Sequence, residues 1–211
     1  MIKKGLISII IPVNNTEKYI DRCLSSIIKS DYNYYEVILI NDGSTDRSQE
    51  ICERYCDLNQ RFRLINQENH GVSVARNVGL QYSSGEWIVF VDSDDYISTD
   101  FLSCIAKKEN DKYDVIFFDC DFGEQRSKYL EMECFVYKNE DNISILDKTL
   151  KGQYLTENGD TSLRGPVAKA YKSTLINKYN IKFDEELVIG EDLVFNLELY
   201  YRMHASLHIR N

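Results

Sequence analysis

Three carboxylates crowd into four residues at Asp92-Ser93-Asp94-Asp95, directly after the apolar run Trp87-Ile88-Val89-Phe90-Val91. Like charges this close repel one another unless something positive sits among them. Carboxylates of this kind hold hard divalent cations, and such a cation can carry a substrate diphosphate. If the apolar run is a buried strand, the cluster stands at its carboxyl end, the edge where open α/β sheets bind ligands. Asp and Ser are also common in the turn after a strand, so a purely structural turn is the competing reading. Along an extended backbone, Asp92 and Asp94 point to one side and face one ligand.

Three further segments carry polar residues at element ends. Asn41-Asp42-Gly43-Ser44-Thr45-Asp46 follows the apolar run Glu36 to Ile40. A carboxylate at Asp42 can accept hydrogen bonds from a base N–H or a ribose hydroxyl, whereas Asp46 reads as a helix N-cap. Asn69-His70-Gly71 opens a helix carrying Ala75, Arg76 and Gly79. Arg76 there either lies on a solvated face or reaches into the crevice to pair with phosphate or an acidic side chain. Small residues at 75 and 79 let that helix approach a sheet. His70 reads as a loop residue. Gly190-Glu191-Asp192 heads an amphipathic helix. Acidic residues favour a first helical turn through the dipole alone. A carboxylate at the mouth of a cleft can also act as general base on an incoming hydroxyl.

These residues need elements to position them, and the first half of the chain alternates strand-like and helix-like segments. Leu6 to Val13 is nearly all apolar, as expected for a parallel strand covered on both faces. Glu17 to Lys29 repeats Ile20, Leu24, Ile27 and Ile28 at helical spacing. Asp46 with Gln49 resembles a capping box before a helix carrying Ile51, Tyr55 and Leu58. Phe62 to Ile65 reads as a third strand, Val72 to Tyr82 as a helix and Glu86 to Val91 as a fourth strand. Such alternation implies right-handed βαβ crossovers, hence an α/β fold with a mostly parallel central sheet and helices on both faces.

After Asp95 the pattern loosens. Thr99 to Lys107 reads as a helix, Asp114 to Phe118 as a strand, Leu175 to Tyr179 as a short helix and Glu191 to Met203 as a helix. The last of these has Leu193, Leu197 and Tyr200 or Tyr201 on one face. The polar stretch Cys120 to Asn142 contains a candidate strand at Cys134 to Tyr137, and Ser162 to Tyr171 is ambiguous. No linker rich in Pro, Gly or Ser interrupts the chain, so the expectation is one domain over 1–211.

Composition narrows the partners. The net charge of −9 offers no basic stripe for nucleic acid. The six cysteines form no Cys-x-x-Cys pair and have no nearby His to complete a zinc set, so free thiols in a reducing cytosol are expected. Lys3 and Lys4 lead straight into a β-like run without a cleavage pattern, so no signal peptide is expected. The longest apolar run is too short to span a bilayer. The expected location is the cytoplasm, with peripheral association at the inner face of the membrane left open, as is the oligomeric state.

In order, Ile11-Pro12-Val13-Asn14-Asn15, Asn41 to Asp46, Gly71 to Gly79, Asp92 to Asp95 and Gly190-Glu191-Asp192-Leu193 resemble the motifs of family 2 glycosyltransferases. The resemblance covers nearly the whole chain and is densest from Ile7 to Phe101. It implies a single GT-A domain over 1–211, with a nucleotide-sugar-binding half at 1–97 and an acceptor-side half at 98–211, that transfers a sugar from a nucleotide donor, usually UDP-linked, with inversion at the anomeric carbon. The acceptor is a hydroxyl on a saccharide, a lipid-linked molecule or another compound, in polysaccharide or glycoconjugate synthesis. By that resemblance Pro12, Val13, Asn15 and Glu17 line the base and ribose pocket, and Asp42 hydrogen-bonds the base. Arg76 lies at the nucleotide. Asp92 and Ser93 contact the ribose or the water shell of the metal. Asp94 is the principal ligand of Mn²⁺ or Mg²⁺, and Asp192 is the base, with Glu191 the second candidate.

Two departures qualify the resemblance. Asn14 replaces the aromatic residue often found after Pro-Val, and the chain stops soon after the Asp192 helix. The expectation is therefore either a compact member or a catalytic core, with Tyr200, Tyr201 and Met203 partly exposed. Two alternatives remain: a nucleotide-sugar-binding domain without efficient transfer, and a nucleotidyltransferase. Asn14-Asn15-Thr16-Glu17 argues against the latter, which usually has a glycine-rich basic loop at that place. The absence of Gly-x-Gly-x-x-Gly after the first strand disfavours a dinucleotide dehydrogenase.

Overall fold

Hydrophobic continuity decides the centre of the fold. β1 (Lys3–Val13) buries Leu6 to Ile11 without a break, so it must be covered on both faces. It lies between β2 (Tyr35–Asp42) and β4 (Gly85–Phe90), with β3 (Phe62–Gln67) beyond β2. All three pairings are parallel, in the order β3-β2-β1-β4. The computed structural model describes residues 1–118, 134–138, 142–153 and 163–209. These fall into two compact units, Met1–Lys108 and Glu109–Asn211.

In the first unit, strand order reverses direction at β1. The chain steps outward to β2 and β3, then returns across the sheet to β4 on the other side of β1. That reversal opens a crevice between the carboxyl ends of β1 and β4. Register sets what stands there: Ile10 pairs with Phe90 and Val13 with Asn41, while Asp42 pairs with Gln67. Asp42 and Asp92 therefore emerge on either side of the end of β1.

The returning crossover is α3 (Val72–Tyr82), which packs on β1 and β2. A methyl group built on Gly79 would collide with Ile10 Cγ2, so only glycine permits this depth of approach. α1 (Ile20–Ile28) buries Ile20, Cys23, Leu24 and Ile27, and α2 (Ser48–Leu58) buries Ile51, Cys52 and Tyr55. Ile28, Leu58, Val72 and Tyr82, apolar or aromatic residues that fall at helical spacing, are exposed. Each lies in an end turn, where the helix runs past the surface it covers. The buried face of α3 carries Ser73, Arg76 and Asn77 beside Ala75 and Gly79, a polar composition with consequences for the site.

The capping box expected at Asp46 and Gln49 is not formed. Asp46 sits one position further out and accepts Ser48 N–H (2.9 Å) and Glu17 N–H (3.0 Å), while Gln49 binds Asn41 and Glu53. α4 (Phe101–Ile105) is shorter than the helix expected over Thr99 to Lys107. A 3-10 turn, Lys108–Lys112, follows.

The second unit has strand order β7-β5-β8-β6, from β5 (Val115–Phe118), β6 (Cys134–Lys138), β7 (Lys169–Lys172) and β8 (Ala205–Ile209). β5 and β8 are parallel, whereas β7 and β6 run antiparallel to their neighbours. Its helices are α5 (Asn142–Leu150), α6 (Ser173–Tyr179) and α7 (Glu191–Arg202). α5, β7 and β8 were not evident as elements from spacing. α7 buries Phe195, Asn196, Leu199 and Tyr200, a face rotated from the Leu193 and Leu197 stripe. Phe195 stacks on Phe183 (4.0 Å between centroids, 6° between planes) and meets the edge of Tyr171 (5.7 Å). Tyr200 and Met203 are fully buried, contrary to the expected exposure, and Tyr201 alone of the three faces out.

Residues 119–133, 139–141, 154–162 and 210–211 lie outside the described residues, and with them Cys120 and most of the polar stretch between Cys120 and Asn142. Among the described residues no helix is long and apolar enough to cross a membrane.

Candidate active site

The carboxyl edge of the first unit carries a cleft of about 320 Å³. Pro12, Val13 and Asn14 from the end of β1, Asp42 from the end of β2, Asn69, Gly71, Val72 and Ala75 from the head of α3, and Asp92, Ser93 and Asp94 line it. Residues from four separate chain segments thus converge on the topological switch point.

Asp42 is buried, and its carboxylate organises the head of α3. Oδ1 accepts His70 N–H (2.9 Å) and the Gln67 amide (2.7 Å), and Oδ2 accepts Gly71 N–H (2.9 Å). Its carbonyl accepts Asn14 Nδ2–H (2.5 Å). Gly71 has φ +91°, a left-handed conformation that L side chains rarely adopt, and there its amide points at Asp42. Three donors on two oxygens leave acceptor capacity on Oδ2. His70 contributes its backbone here, in keeping with a loop role.

Asp92, Ser93 and Asp94 reach the cleft through a turn. Asp95 N–H bonds to Asp92 O at 3.0 Å, so the cluster curls and does not extend. Strand alternation is therefore not what brings Asp92 and Asp94 together; the turn is. Arg76, whose side chain is 5% exposed, meets the 38% exposed carboxylate of Asp92 at 3.1 Å. It is not a lining residue of the cleft but stands beneath Asp92. Asp94 is exposed at the cleft wall, and Asp95 lies outside the lining. Partial burial, with Asp92 and Asp94 close by, pushes the Asp95 carboxyl above its ordinary value, and Arg22 partly offsets this. Cys23, fully buried behind the turn, has its thiol pushed up to about 12, first by burial and then by neighbouring carboxylates and Cys52.

Asn15 and Glu17, expected in the base pocket, turn instead toward the loop after β2. Asn15 Oδ1 accepts Thr45 N–H (2.8 Å), Glu17 Oε2 accepts Arg47 N–H (3.0 Å), and Thr16 N–H donates to Ser48 Oγ (2.8 Å). These bonds bind the two loops into one wall. Spacing missed Asn69, Val72 and Ala75 as lining residues, although the glycine at 71 and the small residue at 75 signalled a close backbone there.

Among the described residues no three His, Cys, Asp or Glu side chains gather to hold a metal. The donor set suits a cation that brings its own ligands. Mg²⁺-like ions bind one or two carboxylates and complete their shell with substrate phosphates and water. Asp94 at the cleft wall, with Asp92 beside it, fits that requirement.

Glu191 and Asp192 stand in the first turn of α7, in the second unit, and both are half-buried. Gly190 precedes them with φ +92°. Asn196 Nδ2 donates to Asp192 O (3.0 Å) and Arg164 O (2.7 Å), which ties the head of this helix to the segment before β7.

The family model described as Glycosyl transferase family 2 matches residues 8–172. The chain belongs to that family. Glycosyltransferase GlyA of Streptococcus pneumoniae serotype 4 is 34% identical over 211 residues, covering 95% of this chain and 29% of GlyA. The Bacillus subtilis protein named Uncharacterized glycosyltransferase EpsJ is 34% identical over 197 residues, covering 92% of this chain and 56% of its own length. The crystal structure of S. aureus TarS 1–349 in complex with UDP-GlcNAc is similar at a TM-score of 0.77 and 26% identity, over 97% of this chain and 58% of that one. The fold of this family 2 glycosyltransferase is thus GT-A-like. The chain spans less than two thirds of the length of each of these relatives.

Proposed function

We propose that this chain carries the donor binding and transfer of an inverting glycosyltransferase. It moves a sugar from a nucleoside diphosphate, UDP in the first instance, to an acceptor hydroxyl. The observation that carries the reading is the convergence of Asp42, Asp92, Ser93 and Asp94 with Pro12 to Asn14 on one cleft at the strand switch point. The similarity to TarS, whose structure holds UDP-GlcNAc, supports a uridine donor.

The chemistry follows from the groups present. The remaining acceptor capacity on Asp42 Oδ2 receives a base N–H or a ribose hydroxyl. Asn14, in place of an aromatic ring, offers amide hydrogen bonding at the cleft wall where stacking would otherwise hold the base. Arg76 pairs with Asp92 from below and orients it, so its role is support of the carboxylate and not direct contact with nucleotide. Asp94, with Asp92, would hold Mn²⁺ or Mg²⁺. Bound there, the cation supplies Lewis-acid stabilisation of charge on the departing diphosphate. A sugar hydroxyl is a poor nucleophile, and a carboxylate in hydrogen-bond reach takes its proton as the new bond forms. The motif order gives that task to Asp192, with Glu191 second. Attack opposite the leaving group inverts the centre in one step, with no enzyme-bound sugar.

Thermal stabilisation by UDP-, GDP- and dTDP-sugars, with and without Mn²⁺, tests the donor, because a ligand bound to the native state raises its stability. UDP-sugars with Mn²⁺ are expected to give the largest shift. Asp94→Asn is expected to remove the metal-dependent part. Asp192→Asn is expected to keep donor binding and lose transfer. Donor binding without turnover against any acceptor, water included, would reduce the chain to a binding domain. Pyrophosphate release from a nucleoside triphosphate would overturn the reading.

A further inference from the structure

We infer that Arg22 is a positioning residue for the donor diphosphate site, acting through the turn that carries Asp94. The inference deepens the proposed function and rests on the role given there to Asp94. One face of α1 grips this turn at three points. Cys23 Sγ–H donates to Asp92 O at 3.7 Å. Arg22 Nη2 donates to Asp94 O at 2.7 Å. Ser26 Oγ accepts Ile97 N–H at 3.1 Å, while its own hydroxyl donates to Cys23 O at 2.7 Å. Residues 22, 23 and 26 share a helical face, so a single rigid element fixes both ends and the middle of the segment from Asp92 to Ile97.

Arg22 differs from the other two grips. Cys23 is buried and Ser26 half-buried, and their loss would disturb packing. Arg22 is exposed, does not line the cleft, and its guanidinium lies over the ring of Tyr96, 4.8 Å from the centroid. The planar group thus works twice, as a charge-assisted donor to the Asp94 carbonyl and as a cation resting on the next side chain. Fixing the carbonyl of Asp94 fixes the peptide planes around it, and with them the direction in which its carboxylate leaves the backbone. A ligand-holding carboxylate that is already oriented does not spend binding energy on being ordered. Arg22 therefore strengthens metal-dependent diphosphate binding without touching the ligand.

The test is calorimetric titration of UDP at a series of Mn²⁺ concentrations for the wild type, Arg22→Ala, Arg22→Lys, Tyr96→Ala and Asp94→Asn. Arg22→Ala is expected to weaken Mn²⁺-dependent UDP binding about tenfold, the scale of one charged hydrogen bond plus one exposed cation–π contact. Its melting temperature without ligand should stay near that of the wild type. Arg22→Lys should recover only part of the loss, because an ammonium lacks the flat fork, and Tyr96→Ala should fall between the two. Deuterium uptake in the peptide spanning 92–97 should rise in Arg22→Ala, an ordering effect that a change of net charge alone would not produce. Wild-type Mn²⁺ dependence and uptake in Arg22→Ala, with binding lost in Asp94→Asn, overturn the role of Arg22 and leave the cleft reading standing. Wild-type Mn²⁺ dependence in Asp94→Asn overturns both.

Discussion

The Arg76 guanidinium lies 3.1 Å from the Asp92 carboxylate, with the arginine sealed under the cleft and the aspartate open to it. Arg76 comes from α3 and Asp92 from the turn after β4, so one ion pair joins the crossover helix to the carboxylate cluster. A buried guanidinium is tolerated only with partners, and a carboxylate among other carboxylates needs a cation. Each residue answers the requirement of the other.

Breaking that pair should cost stability as well as affinity. Arg76→Met is expected to lower unfolding free energy by roughly 1–3 kcal/mol, below the range for a fully buried pair because Asp92 can rehydrate. Arg76→Lys should not restore it, since a point charge cannot reproduce the fork. Urea denaturation reads both, and an unchanged midpoint in Arg76→Met would contradict a supporting role.

Asp42 predicts a different signature. Asp42→Asn keeps the shape but replaces one acceptor oxygen with an NH₂ that faces backbone donors from His70 or Gly71. The clash of donors should cost about 1–3 kcal/mol. Because Asn69, Gly71 and Val72 line the cleft, UDP affinity should fall with it. Equal affinity in titration calorimetry would mean that the head of α3 holds its shape without this carboxylate.

Gly79→Ala drives a methyl group into Ile10 at the centre of the sheet. Overpacking of this kind is expected to destabilise by about 1–3 kcal/mol. Shortening Ile10 to Ala, which removes the clashing Cγ2, should recover part of the loss in the same chain. A double-mutant cycle on chemical denaturation measures the coupling, and strict additivity would refute the contact.

Alkaline pH should weaken the fold through its buried thiols. Burial, with smaller contributions from Cys56, Glu53 and Asp46, pushes Cys52 from 9.0 to about 12 in the native state. Between those values the unfolded chain releases protons that the native chain retains, so stability is intact below pH 9 and falls as pH rises toward 12. Replacing Cys52 with Ala should flatten the fall of urea stability over that window. The comparison is between slopes, since the substitution also removes volume. Identical slopes in both proteins would show that Cys52 does not titrate with folding.

The strands of the first unit and the carboxylates at their ends are legible in the sequence because the determinants are local. An unbroken run such as Leu6 to Ile11 can be satisfied only in the middle of a sheet, and the polar residue after it must stand at an edge. What escaped depends on contacts distant in sequence. Asn15 and Glu17 spend their side chains on Thr45 and Arg47, some 30 residues away, and nothing in their spacing announces it. Arg76 is buried under the cleft with Asp92 above it; an acidic partner is one of the two readings of this residue, but which carboxylate it meets is set by the turn after β4 and not by the helix. The Leu193 and Leu197 stripe misled because aromatic packing of Phe195 on Phe183, and the hydrogen bonds of Asn196, rotate α7. The place of Asn15 and Glu17 in the base pocket is implied by the family resemblance, which gives chain position but not the partner each side chain takes.

The clipped loops have a kinetic meaning. With Asn15, Thr16 and Glu17 bonded across to Thr45, Ser48 and Arg47, the wall formed by Pro12 to Asn14 and Asp42 is braced by bonds internal to the protein. Under the proposed function, capture on this side is an encounter with a braced surface that needs no loop to fold. Its association rate is then expected to follow diffusion and charge, including any cation that offsets the carboxylates at the rim. Differences in affinity among nucleotides at this wall consequently belong to how long each one stays.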